Sequence, residues 1–161
     1  VSTGHAYAWS ADSGYRTIPG TEGIMPNGIE ASPDGGIVSM NASGECSIRK
    51  VGVATGRELG RATVAMPDNV TWAPDGRLRV ASLRGLDPAL FELGQTLEEG
   101  ACPIPFAIVA VDPETMTSLG PVFVSDGRPM GAGTVGLQVG NELFVGSFRG
   151  DRILRITLAD D

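Results

Sequence analysis

One segment occurs twice in this chain, 41 positions apart: Met25-Pro26-Asn27-Gly28-Ile29-Glu30-Ala31-Ser32-Pro33-Asp34-Gly35, then Met66-Pro67-Asp68-Asn69-Val70-Thr71-Trp72-Ala73-Pro74-Asp75-Gly76. In each copy a polar pair leads into a short apolar strand that ends in a Pro-Asp-Gly turn. A repeat of roughly 40 to 50 residues is the length of one blade of a propeller-like array, in which each unit buries its apolar face against its neighbours.

A third, weaker copy lies near the C-terminus, where Gly133-Thr134-Val135-Gly136-Leu137-Gln138 runs into Val139-Gly140-Asn141 and the strand Leu143-Phe144-Val145-Gly146-Ser147. Sliding the copies over one another aligns Asn27, Asp68 and Gly133 at one position, and Gly28, Asn69 and Thr134 at the next. The polar pair varies while the strand and turn persist.

Strand-like runs fall at 5–9, 15–18, 28–32, 36–40, 46–51, 61–65, 69–72, 77–83, 106–111, 119–124, 134–139, 142–148 and 153–158. The 23 Gly and 11 Pro are spread between these runs, as tight turns require. Grouped by the repeat, the runs make two strands, then four, four and three. Blades are four-stranded with the first strand innermost. The expected architecture is therefore an all-β partial propeller, with the outer strands of one blade, two whole blades and three strands of another. Residues outside this chain are expected to complete the ring, because an open arc leaves apolar faces and strand edges uncovered.

The longest departure from the repeat is the insertion 84–105, between the second and third strands of the middle blade. Within it, 88–99 has Leu90, Leu93 and Leu97 at helical spacing and is expected to form a short amphipathic helix. It is either a lid beside the starts of the inner strands or a surface elaboration.

Net charge is −7 and Lys50 is the only lysine, so the chain has no basic stripe to neutralise phosphates, and nucleic acid is not an expected partner. No apolar run approaches the ~20 residues of a membrane helix. Cys46 and Cys102 lack the spacing of a zinc or redox site and are read as two buried free thiols, with a disulfide as the alternative.

Asn27 begins one inner strand, and Asp68 with Asn69 begins the next, so in a propeller these side chains converge at the top of the central channel. Carboxylate and amide oxygens are hard ligands suited to Ca²⁺, which takes six to eight oxygens. The competing reading makes them ordinary turn residues, because Asn, Asp and Gly favour loops for backbone reasons. Asn41, Arg84, Arg149 and Asp151 fall in predicted loops on the same rim as weaker substrate contacts. Thr134 and Gly133 replace the polar pair in the third copy and are expected to line the pocket. His5 is expected at the surface or in packing, and Trp9 and Trp72 in the core. The two Pro-Asp-Gly segments, at the opposite rim, are plain turns.

The segments Pro26-Asn27-Gly28-Ile29 and Ser32-Pro33-Asp34-Gly35, then Asp68-Asn69-Val70, Gly133-Thr134-Val135 and Leu143-Phe144-Val145-Gly146, resemble the C-terminal half of the paraoxonase/arylesterase group. Its wider relatives are the senescence-marker-protein-30/gluconolactonase and strictosidine-synthase-like six-bladed propellers. The resemblance runs from Gly4 to Leu158. It implies a calcium-dependent hydrolase of lactones or related esters, with residues 1–161 as the C-terminal portion of one propeller domain and a complementary N-terminal segment as partner. Under it, Asn27, Asp68 and Asn69 are metal ligands, and Asp68 is also general base or nucleophile. The family's other ligands and histidines belong to the N-terminal half, and the last strand lacks the Cys with which paraoxonases tie their termini. The alternative is a propeller that binds or scaffolds without hydrolysis. The compartment stays open; a periplasmic or secreted location is expected if an upstream leader was removed.

Overall fold

The computed structural model describes residues 1–85 and 87–159. Leu86 in the insertion, and Asp160 and Asp161 at the end of the expected domain, lie outside the described residues. Four antiparallel meanders follow one another along the chain. The first is the hairpin of β1 (Tyr7–Ser10) and β2 (Gly14–Thr17). The second is β3 (Pro26–Ala31), β4 (Ile37–Ala42), β5 (Ser47–Gly52) and β6 (Glu58–Thr63). The third is β7 (Pro67–Trp72), β8 (Leu78–Leu83), β9 (Phe106–Asp112) and β10 (Thr117–Ser125), and the last is β11 (Gly133–Val139), β12 (Glu142–Ser147) and β13 (Leu154–Thr157). This all-β arrangement of two, four, four and three strands is consistent with part of a propeller.

The core lies between sheets rather than within one. Phe106, Ile108, Met130, Leu143 and Val145 fill the seam between the third and fourth sheets. Ile48, Val64, Val70, Leu78, Val80 and Val111 fill the seam between the second and third. Ile18, Val38 and Val51 make a smaller cluster under the hairpin. The period-2 pattern of the strands puts such residues on faces that only a neighbouring sheet can cover.

The two Pro-Asp-Gly segments are turns, as expected. Asp34 accepts from the Gly36 amide (3.0 Å) and Asp75 from the Arg77 amide (3.0 Å). Gly35 and Gly76 supply the positive φ, 70° and 76°.

Three expectations need correction. Trp9 is 63% exposed rather than core, because the hairpin that carries it has a neighbouring sheet on one side only among the described residues. Trp72 is half-buried, and its indole N–H donates to the Ala31 carbonyl across the blade seam (2.7 Å). The insertion does form a helix, α1 (Pro88–Thr96), started by Pro88 and capped by the Asp87 carboxylate accepting from the Ala89 amide (2.9 Å). Leu93, however, is 45% exposed, and the buried residue of α1 is Gly94, seated on Cys102.

The third correction concerns register. Pro26 pairs with Ala42, Pro67 with Ser82 and Gly133 with Ser147, and a bulge follows each pair. The structurally equivalent residues are therefore Pro26, Pro67 and Gly133, then Asn27, Asp68 and Thr134, then Gly28, Asn69 and Val135. Thr134, not Gly133, occupies the place of Asp68. Gly133 sits one residue earlier because a Cβ there would meet the Phe106 ring at 2.6 Å.

Candidate functional site

Each inner strand starts with the same backbone device. Met25, Met66 and Ala132 take left-handed φ values of 52°, 38° and 52°, immediately before Pro26, Pro67 and Gly133. A non-glycine residue there costs about 1–2 kcal/mol. The chain then enters a bulge, which leaves the next two residues of β3 and β7, and the next one of β11, without ladder partners and turns side chains out of the regular pleat. In the middle blade those residues are Asp68 and Asn69, between the pairs Pro67 with Ser82 and Val70 with Val80.

Gly28 binds the two copies together. A Cβ on it would lie 2.5 Å from the Asp68 carbonyl oxygen and would also overlap Asn69, so β3 and β7 touch backbone to backbone here. Asn27, the residue before, is exposed, and it lines a small cavity of about 170 Å³ with His5, Pro26 and Met40. The fold thus brings Asn27, Asp68 and Asn69 to one seam. His5 meets the expectation of a packing residue, its ring 4.6 Å from that of Tyr7, but its cavity shared with Asn27 had no signal in the sequence.

The Asp68 carboxyl is half-buried, and burial pushes its pKa up to about 6. Its side-chain partner is the Asn69 amide, whose Nδ2 donates to Asp68 Oδ1 (2.9 Å) and to the Thr134 carbonyl (2.9 Å). Both amide hydrogens of Asn69 are engaged, so its Oδ1 is the end left for a ligand. A desolvated carboxylate with amide oxygens beside it is a donor set that fits a hard cation, whose charge would offset the burial. Among the described residues no three His, Cys, Asp or Glu side chains converge, so any cation here depends on amide oxygens.

The weaker candidates divide. Asn41 is not in a loop: it lies in β4, is 0% exposed, and its Nδ2 donates to the Asp68 carbonyl oxygen (2.6 Å). It thus reaches the Asp68 backbone from the neighbouring sheet. Ser43, which sequence reasoning passed over, donates to the neighbouring Pro67 carbonyl. Thr134 is 8% exposed at the bulge of β11. Arg84 is exposed and lines a groove of about 760 Å³ with Val64, Met66, Ser82 and Leu83, on the outer side of the β7 start.

Arg149 and Asp151 contact the insertion and line a small cavity with residues 97–100. The Arg149 guanidinium donates to the Gln95 carbonyl (3.0 Å), and its own carbonyl accepts from Cys102 (2.9 Å). Asp151 accepts from the Gly100 amide (3.0 Å) and pairs with Arg152, which holds its carboxyl down at about 2. Phe91 and Phe148 rings lie 6.1 Å apart across the same contact. Both cysteines are free, but only Cys102 is buried; Cys46, expected to be buried as well, is exposed where it follows the short 3-10 turn Ser43–Glu45.

No protein-family model matches the chain, and no curated protein matches it. Solved structures do. A gluconolactonase from Xanthomonas campestris is similar over 96% of this chain and 44% of its own, with a TM-score of 0.55 and 17% identity. A luciferin-regenerating enzyme is similar over 91% of this chain and 45% of its own, with a TM-score of 0.53 and 16% identity. The hydrazine synthase of Kuenenia stuttgartiensis is similar over 82% and 34%, with a TM-score of 0.54 and 17% identity. The chain therefore spans less than half the length of these structures, and at such identity the likeness is one of fold. No helix among the described residues is long and apolar enough to cross a membrane.

Proposed function

We propose that this chain is the C-terminal portion of a six-bladed propeller hydrolase that opens lactones or related esters, with Ca²⁺ at the mouth of the central channel. The observation that carries the reading is Asp68: a desolvated carboxylate, flanked by the Asn69 amide, at the start of an inner strand in a fold shared with a gluconolactonase. Asn27, Asp68 and Asn69 would hold the ion. When bound, Ca²⁺ polarises a carbonyl oxygen as a Lewis acid and lowers the pKa of water.

The protein's own share of the chemistry falls to Asp68 as general base. Its carboxylate takes a proton from water while the water oxygen bonds to the acyl carbon. The acyl C–O bond then breaks and the proton passes to the departing alkoxide, leaving a hydroxy acid. Direct attack by the carboxylate is the variant of this role that the family resemblance implies. Thr134, at the equivalent bulge of the next blade, would line the pocket.

The complementary segment is part of the proposal. Tyr7, Trp9 and Tyr15 on the first hairpin, Leu137 and Val139 on the last sheet, and Ile153 just before β13, are exposed apolar residues at the two ends of the arc. Propeller units cover such faces with the next blade.

The test is turnover of a panel of lactones and aryl esters by the protein as isolated, with calcium and with a chelator, beside Asp68→Asn. General-base catalysis is worth roughly 10²- to 10⁴-fold, so the variant should lose at least that much. Full activity in Asp68→Asn would overturn Asp68 as the base, and no turnover by the parent would make this a propeller that binds or scaffolds without hydrolysis. Native mass spectrometry tests the partner: the 16.7 kDa chain should appear with a second propeller segment.

A further inference from the structure

We infer that Asn41 is a positioning residue that fixes the Asp68 peptide, and through it the carboxylate; this deepens the function proposed above and rests on it. The bulge takes Asp68 out of the ladder, so its carbonyl has no strand partner. A buried carbonyl without a partner is costly. Asn41 supplies the missing donor from the neighbouring blade, at 2.6 Å, and Ser43 donates to the adjacent Pro67 carbonyl.

The other blades show that this is a local choice. The residues preceding Ser82 and Ser147, equivalent to Asn41, are Ala81 and Gly146. At the β11 bulge, the Thr134 carbonyl is instead held by Asn69, from the first strand of the blade before it. The counterpart of Asn69 one blade earlier is Gly28, which has no side chain to give and cannot take one against the Asp68 backbone. The donor is therefore moved to the second strand, and Asn41 carries it.

Packing alone does not favour an asparagine here. Asn41 Oδ1 is buried without a hydrogen-bond partner among the described residues, an arrangement that costs stability relative to alanine. What the residue contributes is the bond to Asp68.

The experiment compares Asn41→Ala with Val38→Ala, a cavity variant on the same strand, in the protein as isolated. Calcium affinity is read by titration calorimetry, and amide hydrogen exchange is followed across residues 68–70. Removal of an outer partner of a metal ligand lowers affinity roughly 10- to 100-fold. That loss, with faster exchange at 68–70, should appear in Asn41→Ala and not in Val38→Ala. Equal effects in both variants, or unchanged exchange at 68–70, would overturn the inference. If the parent protein binds no calcium, the proposed function falls, and the exchange comparison still decides the role of Asn41.

Discussion

Two seams of this molecule share one backbone plan and differ in what their side chains do. At the seam between the second and third sheets, the β7 start is held by polar side chains, Asn41 on Asp68 and Ser43 on Pro67. At the seam between the third and fourth sheets, the residues equivalent to Asn41 and Ser43 are Ala81 and Leu83, both buried in the apolar cluster around Phe106. Both inner strands begin with a left-handed residue and a bulge. One seam uses this frame to present a desolvated carboxylate, and the other uses it to close a core around Thr134 and Gly133. Shared backbone geometry thus makes a place for chemistry without deciding which blade carries it.

If that division is real, the two seams should break differently. The largest effect on stability is expected from Phe106→Ala in the apolar seam. Phe106 is fully buried, its ring lies 5.9 Å from that of Phe123, and it packs on Gly133. Its truncation should cost about 3–5 kcal/mol, read from the urea midpoint. Calcium affinity of the folded fraction should fall much less than stability does, because the Phe106 cluster reaches the site only through Gly133 and the Thr134 carbonyl that Asn69 holds. A collapse of calcium binding in folded Phe106→Ala would show that the seams are one unit.

The converse variant is Gly28→Ala, in the polar seam. Its Cβ would lie 2.5 Å from the Asp68 carbonyl oxygen, so β3 and β7 must separate. Overpacking of this kind costs about 1–3 kcal/mol. The separation also moves Asp68 away from Asn27, so calcium binding should weaken far more than the stability loss alone accounts for. A stable Gly28→Ala protein with parental calcium affinity would mean that the close approach of the two strands has no part in the site.

The grouping of strands, the turns and the helical insertion were legible in the sequence, because alternation and Pro-Asp-Gly punctuation report directly on pleat and turn. The seam chemistry was not. Asn41 reads as a loop residue, since asparagine favours loops and the apolar alternation fades at Met40; yet β4 continues to Ala42, which pairs with both Pro26 and Ser47. The third copy slid by one residue because its register is set by the bulge and by Phe106 lying over Gly133. Neither has a local signature, and the left-handed residues are Met and Ala rather than Gly.

The smallest expected effect is the sharpest on electrostatics. Burial raises the Asp68 pKa from an ordinary 3.8 to about 6, so the folded state binds its proton more tightly than the unfolded chain does. In the metal-free protein, stability should therefore fall as pH rises from about 4 through about 6, then level off. Asp68→Asn removes the titrating charge. Its thermal midpoint without calcium should exceed that of the parent at pH 7, and the gap should close by pH 4, where the parent carboxyl is protonated when folded. Saturating calcium should reverse the order at pH 7, because it stabilises only the form that binds it. A pH-independent gap would show that Asp68 is solvated, and that its seam differs from the apolar one in packing alone.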